Sequence, residues 1–301
     1  MNGKKILVTG ATGAIGKRLV NKLVSDGCNV AVLVRNLSKS KIMFEDDVLH
    51  IEYENNWRDD LKTYNPNIII HLASYSTSQD DLSNIKQLIE SNVLYLSLLL
   101  DALKGLDVEL FLNAGSFSEY LNGDRILDPA YFYSSTKICS RYIIDYFSKV
   151  YDFKFMQLIL YSVYGVEGDS KKIFDLILDS LNGKKSIELT DGAQRLDFVH
   201  IDDILKFFSA AVLNSDKIKN QYEEYFLGMG DPVSIKELAA IASEVTGLES
   251  NVSWGAKEYR KRDVFYACAD NEGLLQSIKW SPSMTITEGV LLEYKKRLKS
   301  A

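Results

Sequence analysis

The chain has 301 residues, is 46% hydrophobic and 25% charged, and so carries enough apolar content for one large domain with room for a smaller lobe. A formal charge of −6 without a long Lys/Arg cluster argues against nucleic acid as a partner, and no apolar run reaches the roughly 18 residues of a membrane span. Cys28, Cys139 and Cys268 are widely separated and show no zinc spacing with His50, His71 and His200, so no metal is expected. Folded-domain sequence starts by Ile6 with no cleavable signal before it, and a soluble, reduced, cytoplasmic protein is expected.

In chain order, strand-like runs fall at Ile6–Thr9, Val30–Val34, Val48–Glu52, Ile68–Leu72, Leu110–Asn113 and Phe155–Leu160. Helical stretches lie between several of them, at Ile15–Ser25, Leu82–Lys104 and Ser134–Val150. This alternation predicts an α/β fold, a Rossmann-type doubly wound parallel sheet covered on both faces. Beyond about residue 165 the rhythm changes to short mixed elements: Ile173–Leu181, Ile187–Leu189, Ile204–Leu213, Tyr225–Leu227 and Ile235–Thr246. The expected division is a dinucleotide-binding domain over 1–165 and a mixed α/β substrate lobe over 166–301, with some chain crossing back to the sheet.

"KILVTGATGAIGKRLV" joins the first strand to the first helix through Gly10, Gly13 and Gly16. The first glycine allows a tight turn, the second lets backbone approach a pyrophosphate, and the third lets helix lie close to sheet. The helix N-terminus then offers N–H groups and the positive end of its dipole to the phosphates. Gly10, Thr12, Gly13, Ala14, Ile15 and Gly16 are therefore cofactor-binding candidates. An NAD site usually ends its second strand on Asp or Glu for the adenosine ribose. Here the strand ends at Arg35, with Lys39 and Lys41 behind it. A guanidinium attracts a 2′-phosphate, so NADP(H) is the expected cofactor.

"YSSTK" places Tyr133 and Lys137 four residues apart, on one face of a helix. An ammonium beside a phenol favours phenolate and pulls its pKa down from ~10 toward the working range. Tyr133 can then give a proton to an alkoxide or take one from an alcohol. In "ELFLNAGSFSEYLNGD", Ser116 and Ser118 follow the fifth strand, at the edge where open parallel sheets bind ligands. A hydroxyl there could hold a carbonyl oxygen; the plainer alternative is turn chemistry.

Together these motifs resemble an extended short-chain dehydrogenase/reductase. "IIIHLAS", "ESNVLYLSLLLDAL", "YSVYGVEGD" and "DGAQRLDFVHIDDI" extend the resemblance along nearly the whole chain. It is strongest to the nucleotide-sugar branch, and there to reductases of nucleoside-diphosphate 4-keto-6-deoxyhexoses that serve surface polysaccharides such as O-antigen. The resemblance implies Ser116, Tyr133 and Lys137 as catalytic residues. It adds Leu72, Ala73, Ser74 and Asn92 to the cofactor contacts, with Tyr133 and Lys137. It implies a nucleoside-diphosphate sugar touching Ser116, Ser118, Tyr133, Ser162, Lys172, Phe174 and Arg260. It also implies a homodimer built on two long helices, since Leu82–Lys104 and Ser134–Val150 carry more apolar residues than one buried stripe needs.

Departures from the family pattern refine the expectation. Related 4,6-dehydratases carry an Asp-Glu pair just after the Ser/Thr, where this chain has Phe117 and Ser118, so dehydration is not expected. Ser162 stands where Asn is usual. Leu196 takes the place of a phosphate-binding Arg, and the one-residue shift sends Arg195 to the opposite strand face. Arg260, three residues before Asp263, is the replacement diphosphate ligand implied by the family's closing segment, with Arg262 second. His71 and His200 read as structural, and Asp202 and Asp203 as caps of a helix from Ile204. The first expectation is NADPH-dependent reduction of a C4 keto group. The second is a nucleotide-sugar 4-epimerase with tightly held NAD(P), and the third a non-catalytic NADP-binding protein.

Overall fold

The computed structural model describes residues 3–44, 47–54, 56–167, 171–181, 183, 185–271 and 278–300. The first half runs β1 (Lys5–Thr9), α1 (Ala14–Ser25), β2 (Asn29–Val34), α2 (Leu37–Met43), β3 (Val48–Glu52), α3 (Trp57–Tyr64), β4 (Ile68–His71) and α4 (Leu82–Ile89). A π-helical turn (Glu90–Leu94) leads into α5 (Tyr95–Asp101), β5 (Leu110–Ser116), a 3₁₀ turn (Phe117–Glu119), α6 (Phe132–Tyr151) and β6 (Lys154–Leu160). Next come β7 (Ser162–Tyr164), α7 (Ile173–Ser180), β8 (Ile187–Glu188), β9 (Arg195–Leu196), β10 (Phe198–His200), α8 (Ile201–Leu213) and β11 (Tyr222–Leu227). The chain continues with β12 (Val233–Ser234), α9 (Ile235–Thr246), β13 (Val252–Ser253), β14 (Tyr266–Ala267) and α10 (Ile286–Ser300).

Seven strands form one parallel sheet in the order β11-β6-β5-β4-β1-β2-β3. Its strands read as nearly unbroken apolar runs because both faces are covered. Alternate residues serve opposite cores: Ile6 and Val8 pack with Val30, Val32 and α8's Phe207 and Phe208. Leu7 points the other way, among Ala31, Ile69, Phe111 and residues of α3, α5 and α6. The strand order reverses between β1 and β4, where open α/β sheets leave a crevice at their carboxyl ends. The Rossmann-type doubly wound sheet is thus present.

After residue 166, β11 pairs with β6 and α8 packs against α1. A separate core gathers α7, α9, α10 and the short strands around Phe174, Ile177, Leu238 and Val290. Helix α8 starts at Ile201, and its N-cap is His200, whose ring accepts from Asp202 N at 3.2 Å. The cap expected from Asp202 and Asp203 is therefore corrected. Asp203 instead staples the segment before α10: its carboxylate accepts from Ser283 N, Ser283 Oγ, Met284 N and Lys206 Nζ, each at 2.9 Å. His71 is buried and bonds Thr9 Oγ1 through Nδ1 at 2.8 Å, and burial pushes its pKa down to about 3. Both histidines thus have structural partners. No helix among the described residues is long and apolar enough to cross a membrane.

Burial alone would push the Asp203 carboxyl up, but the four donors outweigh it and hold the group below the usual carboxylate range. A depressed folded pKa contributes stability that is present above the unfolded value of ~3.9 and is lost as pH falls through the folded value. Asp203→Asn is expected to lower stability by about 1–3 kcal/mol at neutral pH. Urea unfolding should show the gap to wild type closing below about pH 4; a gap constant with pH would contradict it.

Candidate active site

The glycine turn and the end of β4 are packed against each other. Gly10 has φ +68°, and a Cβ there would lie 2.5 Å from Ala73 N. A Cβ on Gly16 would lie 2.2 Å from the Gly10 carbonyl, so only glycine lets α1 sit this close to the turn. Gly13 is the N-cap of α1 and offers no side chain to its first turn. Thr12, Ala14 and Ile15 stand beside that opening and are only partly covered. Arg35, at the end of β2, is exposed. A cradle that a Cβ would fill and a helix start with no side-chain cap fit a dinucleotide diphosphate, with the exposed Arg35 guanidinium at the end of the neighbouring strand.

Ser116, Tyr133 and Lys137 are brought together at the carboxyl end of β5. The hydroxyls of Ser74, Ser76 and Ser116 face the Tyr133 phenol and act to lower its pKa. Ser116 Oγ lies 2.8 Å from Ser118 Oγ, which Ser134 Oγ also reaches at 2.8 Å. Ser118 is buried and so stands behind Ser116, as the second hydroxyl of a chain. Lys137 Nζ donates to Ala114 O at 2.9 Å and lies 5.8 Å from the centroid of the Tyr133 ring.

The electrostatics correct one expectation. Burial, and then the charge of Glu119, push the Tyr133 phenol up to about 12, against the three serine hydroxyls. Burial pushes Lys137 down to about 8, against the pull of Glu119. Lys137 gives one N–H to a strand carbonyl, and burial together with the Glu119 charge outweighs what lowers the phenol in this state. Tyr133 rests protonated.

Asn92 lies within the π turn and joins two segments of the site. Its Oδ1 accepts from Tyr75 N at 2.8 Å and Ser74 Oγ at 3.1 Å, and its Nδ2 donates to Tyr75 O and Thr136 Oγ1, both at 2.9 Å. All four bonding positions are occupied. It thereby fixes the loop after β4, Leu72, Ala73 and Ser74 included, to helix α6.

The substrate candidates divide. Arg260 is exposed, with its guanidinium 5.4 Å from the centroid of the Tyr131 ring. Tyr131 OH donates to Asp263 at 2.8 Å, pinning that segment over the start of α6, two residues from Tyr133. Arg262 is bound to Asp128 and to Pro129 O. Arg195 does point away, to Glu237 at 2.9 Å and Pro232 O at 2.8 Å. Ser162 is half-buried in β7, and Lys172 is exposed at the start of α7. Phe174 is 3% exposed and stacks on Tyr164 at 4.2 Å, which makes it a core residue of the lobe and not a ligand contact. A cavity of about 90 Å³ opens beside Phe117, between Tyr161, Phe226, Arg125 and Cys268.

Sequence reasoning missed Ser74 as a partner of the phenol, and missed Ser76 and Glu119 altogether. No local signal marks Ser76. Glu119 did leave one: Ser116-x-x-Glu119 is a capping box, with Glu119 Oε1 accepting from Ser116 N at 2.8 Å.

Residues 6–228 match the model of the "NAD dependent epimerase/dehydratase family". The chain is 29% identical to CDP-abequose synthase of Salmonella typhimurium, covering 95% of each chain. It is 26% identical to UDP-glucuronate 4-epimerase of Thermodesulfobacterium geofontis, covering 94% of this chain and 93% of that one. Among solved structures, UDP-glucuronic acid 4-epimerase from Bacillus cereus, with UDP-glucuronic acid and NAD, superposes with TM-score 0.86 at 20% identity, over 99% of this chain and 100% of that one. MoeE5, with the same ligands, gives 0.85 at 23%, again over 99% and 100%. The likeness of the structures shows the shared fold, and the match over three quarters of the sequence shows the kinship: the chain belongs to the NAD-dependent epimerase/dehydratase family.

Proposed function

We propose that this protein is an NADPH-dependent reductase of the C4 ketone of a nucleoside-diphosphate 4-keto-6-deoxyhexose, in deoxysugar synthesis for surface polysaccharide. The observation that carries this reading is the gathering of the Tyr133 phenol, the Ser116 hydroxyl and Lys137 at the carboxyl end of β5, where a protonated phenol can act as donor. Reduction of a ketone needs a proton donor at the carbonyl oxygen, whereas oxidation of an alcohol needs an acceptor. The relatives named CDP-abequose synthase support a nucleotide-sugar substrate. Phe117 has no acid or base function, and Glu119 is turned inward, so neither serves a dehydration.

In the productive complex the Ser116 hydroxyl and the Tyr133 phenol hold the ketone oxygen. When bound, the reduced dinucleotide supplies the hydride to C4. Tyr133 gives its proton to the oxygen as the C=O double bond becomes a C–O single bond, leaving an alcohol and a phenolate. Lys137, in its ammonium form, stabilises that phenolate and would hydrogen-bond the nicotinamide ribose of the bound dinucleotide. Gly10, Gly13 and the start of α1 hold the pyrophosphate, and Arg35 the 2′-phosphate. Arg260 and Lys172 take the diphosphate of the sugar nucleotide. The second reading, a 4-epimerase with resident NAD(P), is favoured by the relatives and structural neighbours that carry that name.

Protein as purified, given NADPH and a nucleoside-diphosphate 4-keto-6-deoxyhexose, should consume NADPH with one alcohol formed per dinucleotide. An epimerase would instead carry bound cofactor and need none added. Tyr133→Phe is expected to lower kcat at least ~10²-fold, with NADPH binding little changed. Near-full activity in that variant would remove Tyr133 as the donor.

Arg35→Asp adds repulsion where attraction is lost, so the ratio of kcat/KM for NADPH over NADH should fall. An unaltered ratio would place Arg35 outside the adenosine pocket.

The working unit in this reading is a two-fold homodimer. Tyr142, Tyr146 and Val150 form an exposed stripe at i, i+4, i+8 on α6, and Leu82, Ile89 and Leu94 are exposed along α4 and the π turn. Such a patch on two neighbouring helices is matched by a second copy of itself. Light scattering at low protein concentration should give the dimer mass; a monomer with full activity would refute the assembly.

A further inference from the structure

Helix α6 carries three residues of the site at one spacing: Tyr133, Lys137 and Arg141, at i, i+4 and i+8. The third has no part in the chemistry described above. Arg141 is nearly buried and meets two carboxylates, Glu119 at 2.9 Å and Glu224 of β11 at 2.5 Å. It also donates to Tyr120 OH at 2.7 Å, and Tyr120 OH in turn donates to Glu224 at 2.6 Å. Tyr222 OH closes the cluster at 3.4 Å.

Glu119 is fully buried. One of its oxygens takes Ser116 N at 2.8 Å, and the other takes Arg141. A Cβ on Gly115 would come within 2.7 Å of that first oxygen and 2.4 Å of Gln157 Nε2, so the strand gives up a side chain there to admit the carboxylate. A buried charge is tolerated only when paired and hydrogen-bonded. The formal charges do pair: Lys137 and Arg141 against Glu119 and Glu224. Burial is the larger effect and raises the Glu119 carboxyl above its ordinary value, while the guanidinium, the Ser116 N–H and Lys137 pull it back toward the charged form.

We propose that Glu119 is a positioning residue for the Ser116–Tyr133–Lys137 site. Its carboxylate fixes the end of β5 that carries Ser116 and sets a buried negative charge beside the Tyr133–Lys137 pair, while Arg141 braces it from α6. The proposal rests on the ketoreductase reading for its kinetic consequences. A negative charge at this place disfavours phenolate and favours ammonium, so it keeps both groups of the pair protonated. Around Glu119 the charged and titratable groups are Arg141, Lys137 and Tyr133 of α6, Glu224 and Tyr222 of β11, and Tyr120 of its own segment. Glu119 is placed beside the pair by its bonds to Ser116 N and to Arg141, one turn of α6 beyond Lys137, whose Nζ reaches Ala114 O two residues before Ser116.

The test separates charge from geometry. Glu119→Gln keeps a carbonyl for Ser116 N–H and removes the charge. Glu119→Asp keeps the charge and withdraws the oxygen from Ser116. The first readout is the titration of Tyr133 in ligand-free protein, followed by NMR of ¹³C-labelled tyrosine, with the resonance identified from Tyr133→Phe. The second is the pH profile of kcat. Glu119→Gln should lower the Tyr133 titration by about one unit and carry the alkaline limb of kcat to lower pH by a similar amount. Glu119→Asp should leave the alkaline limb in place and lower kcat about tenfold with KM little changed, because Ser116 is no longer held. Glu224→Gln should leave the alkaline limb in place. An unmoved titration and limb in Glu119→Gln would overturn the proposal, as would an equal shift in Glu224→Gln. Should Glu119→Gln not fold, Glu119→Asp decides: an unchanged kcat, or an alkaline limb moved to lower pH, overturns the proposal. A wild type that reduces no keto sugar defeats the reductase reading alone, since the Tyr133 titration needs no substrate.

Discussion

The contact on which the site depends is the close approach of the glycine turn to the end of β4. Gly10 has no room for a Cβ against Leu72 and Ala73, and Gly16 has none against the turn itself. That approach sets the loop bearing Ser74 and Ser76 next to the start of α1. Asn92 then ties the same loop to α6 through Thr136. The place for the dinucleotide and the phenol of Tyr133 are thereby held by one continuous set of contacts. A shift at the turn would reach Tyr133 through two hydrogen-bonded links.

Much of this was legible in the chain because glycine and apolar alternation are local signals. The run of strand, glycine turn and helix needs only sequence-adjacent residues, and the parallel sheet follows from its repetition. The order Ser116, Tyr133, Lys137 was also readable, since the strand end and the i, i+4 spacing fix where each points. Less was legible where a role depends on partners distant in sequence. Asp203 reads as a helix cap from its neighbours, yet three of its four donors lie on Ser283 and Met284, about 80 residues away. Phe174 reads as a site residue by position, and only the packing of Tyr164 shows that it faces inward. Helix Leu82–Lys104 reads as unbroken, because a π turn has no composition of its own; what marks it is Asn92, a polar residue buried within an apolar helix. A π turn at a functional position is a common use of that irregularity.

The charges of the site were the least legible part. The Tyr-Lys spacing alone suggests an ammonium lowering a phenol pKa. In the folded protein burial acts on the two groups in opposite senses, raising Tyr133 and lowering Lys137. A carboxylate reached through a capping box adds to the first shift and opposes the second. The spacing was right, and the sign of the effect on the phenol was decided by groups outside the motif.

That sign bears on direction of reaction. A phenol that stays protonated is ready to give a proton to an oxygen that becomes an alkoxide. The same phenol is a poor base for taking a proton from an alcohol until some positive charge comes near it. An oxidised nicotinamide ring carries such a charge and a reduced one does not. An enzyme that begins by oxidising its sugar can therefore rely on its resident cofactor to lower the phenol pKa. One that begins with reduced cofactor gains from a protein environment that keeps the proton in place. In the ligand-free protein burial and the Glu119 carboxylate hold the Tyr133 proton in place while the three serine hydroxyls work against them, so the charge of the nicotinamide ring beside it tips the phenol toward donor or acceptor.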